Sequence, residues 1–475
     1  MARKRTLILL QIFAYALLRW WFLPIEFTGD SYGYACEVLK GDLLSGHHLL
    51  HKYLLSGLYL GWQNSFMLFG NSEINSNPLI LFIRFNLIIS VLNLVVVWII
   101  LENRKWRHSS ISLALLLISA SFSFIKYSFE NETYMLPILL SLIGTLYYER
   151  KKWNLAFLFL SVAALFHQIH IFWMISLWLW TPISLKNKIQ YLIFSIVLII
   201  GPYLYFAYDY NVKITDLIFQ DVQSGLVQLT PTFENFVLTA INFVRVFFQI
   251  HGEMIMFWNV FNPFLSGVAI ISVLFLLIGV VLYFRAHQLK FRVSDWSKTY
   301  LTAFLLQLMF AFYSVGNIEF MISLPFLMIL SHHSGRIMNF SLLLSLGMFL
   351  WNFGQFALPR TSVSPHRLHQ KLQLIESLTP SDQNDVSVCI QDKDFNQNFF
   401  EYQKLTKNTR LNIHCTEIDS QESADFILIH NGTRFNRNRF TTNAPNNISS
   451  NGKRVYGDSS IMGNIWIITN SNDSH

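Results

Sequence analysis

The sequence predicts an all-α polytopic membrane protein that carries a small α/β domain at its C-terminal end. Two features of composition lead to this fold class. The 475 residues are 53% hydrophobic and 13% charged, whereas an average soluble protein is about 25% charged. Long apolar stretches recur from residue 6 to residue 357, and residues 358–475 are polar and rich in Asn, Asp, Ser and Thr. We therefore divide the chain into a membrane core, 1–357, and a soluble domain, 358–475.

About eleven apolar segments are predicted to cross the membrane as helices, several of them short; a crossing takes about 20 residues. The first segment follows a basic N-terminus, lacks a small-residue cleavage site and runs into Trp20 and Trp21. We interpret it as a retained helix rather than a cleaved signal peptide. The predicted spans are 6–24, 79–101, 109–126, 134–149, 154–168, 169–183, 189–207, 259–284, 299–314, 319–332 and 337–357.

The charges of the loops predict the orientation of these spans. Basic clusters such as 3–5, 104–107 and 150–152 fall in alternate loops, and the loops between them are acidic. Because basic loops stay in the cytoplasm, we predict a cytoplasmic N-terminus and an extracytoplasmic C-terminal domain, in a bacterial inner or plasma membrane. The same rule accounts for the formal charge of +7, so we expect membrane lipids and no nucleic acid as partners.

Two loops on the predicted outer side are long. Residues 25–78 contain amphipathic patterns near 31–44 and 47–69, and residues 208–255 contain another at 233–248. Helices of this kind lie along the membrane surface. These loops favour an enzyme that works at that surface over a transporter.

The polar C-terminal region alternates β-like and helix-like patterns. The β-like runs are 386–391, 411–415, 426–430 and 465–469, a helix-like stretch covers 396–405, and residues 434–460 have the composition of a loop. This order predicts a small α/β domain. Three cysteines are too few for a disulfide framework, although Cys389 and Cys415 would pair in an oxidising compartment.

A carboxylate follows the first span on the predicted outer side. It is Asp30, in the segment GDSYGY at residues 29–34. Transfer of a sugar from a lipid phosphate to a hydroxyl needs a carboxylate that orients and deprotonates the hydroxyl, and Asp30 is the candidate. The alternative is an ordinary turn or capping residue at a helix end. We expect Tyr32 and Tyr34 to line the same substrate cavity.

Two other outer loops contribute acidic candidates. Glu130 and Glu132 lie in the short loop FENET, just before a predicted helix. Either can be a second catalytic carboxylate, and the alternative for Glu132 is a cap on the following helix. Glu319, in the segment GNIEF, would close the cavity from the opposite side.

Basic residues near the outer ends of two spans are candidates for the donor phosphate. Arg84 lies inside the second span, and an ionisable residue at that depth is functional by default. Guanidinium groups bind phosphate oxygens in pairs, and the alternative is a side chain that extends to the interface. Lys126, at the outer end of the third span, is a weaker candidate of the same kind.

Two histidine-containing segments complete the candidates. His167 and Gln168 interrupt an apolar stretch, where we expect a polar turn that faces the substrate, and His47 and His51 lie in the first outer loop. His47 and His51 are four residues apart, the spacing of some metal sites. No HExxH or other ligand set accompanies any of these histidines, so we predict no cofactor and leave a divalent metal open.

Together these features resemble the GT-C superfamily of membrane glycosyltransferases, and most of all its protein O-mannosyltransferase and aminoarabinose-transferase type. The shared features are an outer Asp30 in a Gly-Asp-Ser-x-x-Tyr context, a long amphipathic first loop with His and Tyr, Arg84 early in the second span and an acidic loop between the third and fourth spans. The resemblance covers roughly residues 1–357. It implies a GT-C-like core and a sugar donor linked to polyprenyl phosphate.

The resemblance also implies roles for individual residues. Asp30 would be the catalytic base of an inverting transfer, and Glu130 or Glu132 would be the second acidic residue. Arg84 would lie near the lipid phosphate, while His167 or Gln168 falls where such enzymes often have a lysine. The acceptor would be a hydroxyl of a lipid, a glycan or a protein.

Two other functions remain as alternatives. Residues 164–167, with the sequence ALFH after a Lys-rich turn, also resemble polysaccharide polymerases of the Wzy or EpsG type, which use a pyrophosphate-linked donor. A transporter is less well supported, because the chain has no inverted repeat and no matching pair of Gly- or Pro-broken helices.

Overall fold

The structure is a computed structural model in which helices dominate and one sheet lies near the C-terminal end. Every residue predicted for the site belongs to the part of the chain that the structure describes. The described residues are 2–68, 77–223, 227, 230–250, 255, 259, 262–287, 297–332, 342–362, 367–390, 393–407, 409–416, 425–431, 455–460 and 463–469.

The described helices are numbered in chain order. In the first part of the chain they are α1 Ala2–Trp21, α2 Gly29–Lys40, α3 His51–Leu68, α4 Pro78–Asn103, α5 His108–Ala120, α6 Phe122–Tyr127, α7 Met135–Glu149, α8 Trp153–Phe166, α9 Ile171–Trp180 and α10 Leu185–Asp209. They continue as α11 Ile214–Ile218, α12 Gln220–Gln223, α13 Phe233–Phe247, α14 Pro263–His287, α15 Lys298–Tyr313, α16 Leu324–Ser331, α17 Leu342–Asn352, α18 Leu368–Leu378 and α19 Lys393–Leu405.

Apolar helices of membrane-spanning length identify an integral membrane protein. Among the described residues, four helical segments have both the length and the composition to cross a bilayer: Pro78–Asn103, Leu185–Asp209, Pro263–Leu282 and Leu342–Thr361. Five further apolar helices are shorter. The predicted total of about eleven spans stays a prediction.

The backbone becomes extended at two points, one inside the predicted span 109–126 and one at the polar turn predicted between the spans 154–168 and 169–183. The span 109–126 divides at Ser121, whose φ of −63° and ψ of 141° separate α5 from α6. His167, with φ −157° and ψ 118°, ends α8 and is followed by a 3₁₀ turn, Gln168–His170, before α9. An extended residue leaves neighbouring backbone N–H and C=O groups without helical partners. These two breaks therefore place backbone polar groups inside the apolar core, near Ser121 and His167.

The sheet has five strands: β1 Asp385–Ile390, β2 Asn412–Thr416, β3 Phe426–Asn431, β4 Val455–Ser460 and β5 Gly463–Thr469. Their order is β2-β1-β3-β5-β4. β1 is parallel to β2 and β3, and β5 is antiparallel to β3 and β4.

The predicted runs at 386–391, 411–415, 426–430 and 465–469 coincide with β1, β2, β3 and β5. The expectation of a loop at 434–460 was wrong for residues 455–460, because β4 pairs with β5 along its whole length. Residues 434–454 lie outside the described residues, as do the side chains of Cys389 and Cys415.

Helix α2 belongs to the smaller of two apolar cores. The larger core joins the apolar helices, and the smaller one joins α2 to the C-terminal region. In the smaller core, Tyr32 of α2 packs against Phe399 and Tyr402 of α19 with ring centroids 5.4 and 5.7 Å apart. The residues of α2 are therefore held in place by packing against both the apolar helices and the C-terminal region.

Candidate active site

Helix α2 carries Asp30 in its first turn. The N-cap is Thr28, whose Oγ1 accepts a hydrogen bond from the Ser31 backbone N–H at 3.3 Å. The helix ends at Gly41, where a φ of 79° suits glycine because it has no Cβ. Asp30 is exposed, and an acidic side chain in the first turn is stabilised by the helix dipole.

Glu130 holds the start of α2 in place. Its Oε2 accepts hydrogen bonds from the Thr28 N–H at 2.9 Å and from the Ser31 hydroxyl at 2.9 Å. Its Oε1 forms an ion pair with Arg360 at 3.0 Å, and the Glu130 side chain is fully buried. A buried charge is tolerated when it is paired and hydrogen-bonded. In this structure Glu130 positions α2, whereas the sequence suggested a catalytic carboxylate.

Glu132 is buried beside the same cap but has a different environment. Its Oε1 accepts from Thr28 Oγ1 at 3.3 Å. Burial raises the pKa of the Glu132 carboxyl well above its usual value, and the neighbouring carboxylates of Asp30 and Glu319 raise it further, while Lys126 opposes them. Glu132 therefore holds a proton more strongly than an ordinary glutamic acid.

Glu319 reaches this group of carboxylates from the 3₁₀ turn Ile318–Met321. Its Oε2 accepts a hydrogen bond from the Tyr134 hydroxyl at 2.9 Å. Burial and the nearby Glu132, Asp30 and Glu319 together raise the pKa of Tyr34 well above its usual value. Three predicted carboxylates and Tyr34 thus lie close enough to influence one another.

The histidines form an adjoining cluster. The rings of His48 and His167 are 4.6 Å apart, and Tyr34 lies 5.3 Å from His51 by ring centroids. Burial lowers the pKa of His48 well below its usual range and lowers that of His51 to about 3. These two imidazoles are uncharged at neutral pH, so they offer hydrogen-bonding groups rather than positive charge.

A polar cavity of about 470 Å³ opens at Asp30. Its walls come from α2, the segment 42–47, the start of α3, α12 and α19. Lys52 is buried and forms an ion pair with Glu37 at 3.2 Å. The charged groups that line the cavity are Asp30, Glu37, Asp42, Glu401, Lys40 and Lys52.

An apolar cavity of about 310 Å³ lies on the other side of Gly46. Tyr203 and Gln168 line it, and the Tyr203 hydroxyl donates to the Gly46 carbonyl at 2.8 Å. The Gly46 N–H donates to Gln220 Oε1 at 2.8 Å, and Gln220 lines the polar cavity. A Cβ at position 46 would collide with the Leu217 carbonyl oxygen. The segment around Gly46 is therefore a thin wall between the two cavities.

The remaining predicted residues are found in four settings. His47 lines the polar cavity, and its Nδ1 lies 3.3 Å from Gln220 Oε1. Tyr32 is buried in the small core and does not line either described cavity. Arg84 is exposed on α4, with its guanidinium 4.9 Å from the Trp20 ring. Lys126 donates to the Tyr127 hydroxyl at 3.2 Å.

Several residues of the site were not predicted. Arg360, Lys52 and Asn398 lacked a local signal, because their roles depend on contacts with distant segments. Arg19 did have a local signal, because it is a charged residue within the first apolar span. The structure buries it completely, and its Nη2 donates to Ser128 Oγ at 2.8 Å. Among the described residues, no group of three or more His, Cys, Asp or Glu side chains is arranged to hold a metal ion.

No protein-family model matches the chain, and no curated protein matches it by sequence. The chain is similar to the crystal structure of ArnT from Cupriavidus metallidurans bound to undecaprenyl phosphate, with a TM-score of 0.48, 11% identity and coverage of 98% of both chains. The apo structure of that protein gives a TM-score of 0.46, 13% identity and coverage of 99% of both chains. ArnT is an aminoarabinose transferase of the GT-C family, the type that the sequence resembles. With identity this low, the activity of this chain has to follow from its own residues.

Proposed function

We propose that this protein is an integral-membrane glycosyltransferase that moves a sugar from a polyprenyl-phosphate donor to an acceptor hydroxyl, with Asp30 as the general base. The observation that carries the proposal is the place of Asp30, exposed in the first turn of α2 on the wall of a polar cavity of about 470 Å³. A cavity of a few hundred Å³ is the usual size of a small-molecule site. It has room for a sugar and for the acceptor group that attacks it.

The reaction is a single displacement. Asp30 takes the proton of the acceptor hydroxyl as its oxygen attacks the anomeric carbon of the sugar. The bond from that carbon to the phosphate oxygen breaks, and the lipid phosphate leaves with the electron pair. Attack opposite the leaving group inverts the anomeric carbon, so the product has the configuration opposite to that of the donor.

The environments of Asp30 and Glu132 suit different tasks. Asp30 is exposed on the cavity wall, where its carboxyl oxygens are accessible to an acceptor hydroxyl. Glu132 is buried, and its raised pKa favours the protonated form, which can donate a hydrogen bond. One exposed and one buried carboxyl group in the same site suit the roles of a base and a neutral partner.

The apolar cavity beside Gly46 suits the donor's lipid chain. Its lining is almost entirely apolar, and it adjoins the polar cavity at the segment around Gly46. A polyprenyl chain there would leave its phosphate near this wall. Lys126, a cation predicted to bind the phosphate, lies close enough to Glu132 to oppose the rise in its pKa. Arg84 is exposed beside Trp20 near the start of α4, a setting that suits contact with a lipid headgroup.

The proposal also includes the predicted orientation. The C-terminal region contacts α2 and thus lies on the same side of the protein as Asp30. With the N-terminus in the cytoplasm, both would be extracytoplasmic. A lipid-phosphate donor would then have to be presented at the outer face.

The test is sugar transfer by purified protein in lipid nanodiscs, from a labelled polyprenyl-phosphate sugar, by wild type and Asp30→Asn. A positioned general base contributes about 10²–10⁴-fold, and we expect a loss of that size with normal folding and thermal stability. Asp216→Asn is the matched control, because Asp216 is exposed in α11 away from the cavity lining. An Asp30→Asn protein with wild-type activity would overturn the role of Asp30.

A further inference from the structure

Helix α19 makes specific contacts with the first turn of α2. The Asn398 side-chain N–H donates to the Gly29 carbonyl at 3.0 Å, next to Asp30. Glu401, one turn further along, forms an ion pair with Lys40 at the other end of α2. The Tyr402 hydroxyl donates to Asn77 Oδ1 at 2.5 Å and so also joins α19 to the start of α4. These contacts attach the C-terminal region to both ends of α2.

The two helices approach each other closely at Gly33. A Cβ there would lie 3.0 Å from the Asn398 Nδ2 atom, which is tighter than ordinary packing. Gly33, Asn398 and Glu401 all line the polar cavity. Helix α19 is therefore one wall of the cavity that contains Asp30, rather than a cover placed outside it.

The charge of this cavity argues against a phosphate site. Four carboxylates line it, but only two lysines do. Both lysines are already used, Lys40 in the pair with Glu401 and Lys52 in the pair with Glu37. A lipid phosphate would meet a negative surface there, and like charges repel.

A hydroxyl-bearing group without negative charge fits the same walls. Carboxylates accept hydrogen bonds from hydroxyl and ammonium groups. A primary amide has two N–H donors and a carbonyl acceptor, and Asn398 uses one N–H on Gly29. Its other amide groups are suited to the hydroxyls of a sugar-like molecule.

We propose that the polar cavity between α2 and α19 is the acceptor site, and that Asn398 and Glu401 bind the acceptor. The acceptor is a polyhydroxyl group that is neutral or cationic. This inference rests on the proposed transfer with Asp30 as base, since the attacking hydroxyl has to reach Asp30. It gives the C-terminal region a direct part in acceptor recognition.

The experiment measures transfer from a labelled polyprenyl-phosphate sugar to three alkyl glycosides in nanodiscs: hexyl glucoside, hexyl glucosaminide and hexyl glucuronide. We expect the wild type to use the neutral and cationic acceptors and to reject the anionic one. Asn398→Ala and Glu401→Gln should raise the acceptor KM by about tenfold, the effect of one lost hydrogen bond or charge contact, with the donor KM unchanged. Gln397→Ala is the matched control, because Gln397 is the exposed neighbour on the same helix.

A second measurement, the ratio of transfer to anionic and to neutral acceptors, distinguishes a loss of acceptor binding from a folding defect. Glu401→Gln and Asp42→Asn keep the shape of the side chain and should each improve the ratio of anionic to neutral acceptor, which a purely structural role would not change. Wild-type transfer with unchanged acceptor KM and unchanged charge preference in these variants would overturn the inference and leave the proposed function standing. Absence of wild-type transfer to every acceptor would instead overturn the proposed function, and this inference with it.

Discussion

The two cavities beside Gly46 differ in chemistry although they share a wall. The polar one, about 470 Å³, is lined by charged side chains and by α19, whereas the apolar one, about 310 Å³, is lined almost entirely by apolar side chains of the helical core. One is suited to a group that is hydrated before it binds, and the other to a chain that comes from lipid. The apolar cavity is thus lined by the membrane core, whereas α19 of the C-terminal region contributes Asn398 and Glu401 to the polar cavity.

The segment around Gly46 separates the two cavities, and the Thr28 cap holds the start of α2, which lines the polar cavity. We therefore expect substitutions in the segment around Gly46 and substitutions at the cap of α2 to affect the two cavities differently.

The largest expected loss of stability comes from the support of α2. Glu130→Ala leaves Arg360 buried without its carboxylate partner, and such a change costs about 3–5 kcal/mol. We expect chemical denaturation in detergent to show this drop in the free energy of unfolding. Glu102→Ala is the control: its pair with Arg5 is largely exposed, and an exposed pair contributes about 0–1 kcal/mol. Equal effects of the two substitutions would contradict the positioning role of Glu130.

A smaller loss is expected at the wall itself. Gly46→Ala forces a Cβ against the Leu217 carbonyl oxygen, and overpacking of this kind costs about 1–3 kcal/mol. Because the shift would deform both cavities, transfer activity should fall together with thermal stability. Gly57→Ala tests the same exchange where no atom lies within 4 Å of the new Cβ. The idea of a tight wall fails if Gly46→Ala is as well tolerated as Gly57→Ala.

The smallest effect concerns pH and sharpens the contrast within the loop 130–132. The pKa of Glu132 is raised above its usual 4.5 in the folded protein. The folded state therefore holds this proton more strongly than the unfolded state. The resulting stability is fully present below about pH 4.5 and is lost as the pH rises toward the folded-state pKa.

Glu132→Gln removes that proton equilibrium. We expect its thermal midpoint to fall less than that of the wild type between pH 4.5 and pH 8. Glu234→Gln, at an exposed position in the first turn of α13, should keep the wild-type dependence. A steeper fall in Glu132→Gln than in the wild type would mean that the carboxyl is ionised in the folded protein.

Local sequence patterns predicted the parts of the site that depend on local structure. Asp30 follows an apolar span and a threonine cap, and the amphipathic patterns near 31–44, 47–69 and 233–248 correspond to α2, α3 and α13. Strand β4 was missed because its sequence, VYGDSS, contains Gly and three polar residues and depends on β5 for its pairing.

Contacts between distant segments could not be predicted in this way. Glu130 and Glu132 are two residues apart in the sequence. Glu130 is distinguished by its ion pair with Arg360, 230 positions away, whereas Glu132 has a raised pKa. Asn398 meets Gly29 across 369 positions. Periodicity and motifs describe single elements, whereas these contacts follow from how the C-terminal region packs on α2.

The most direct test of the account is to identify the donor and the product of the wild-type protein. Labelled polyprenyl-phosphate sugars and polyprenyl-pyrophosphate oligosaccharides would be offered in nanodiscs with a neutral alkyl glycoside, and products resolved by size and by the NMR coupling of the anomeric proton. The account predicts one added sugar, inverted at the anomeric carbon, from the monophosphate donor alone. A ladder of products made only from the pyrophosphate donor would contradict it.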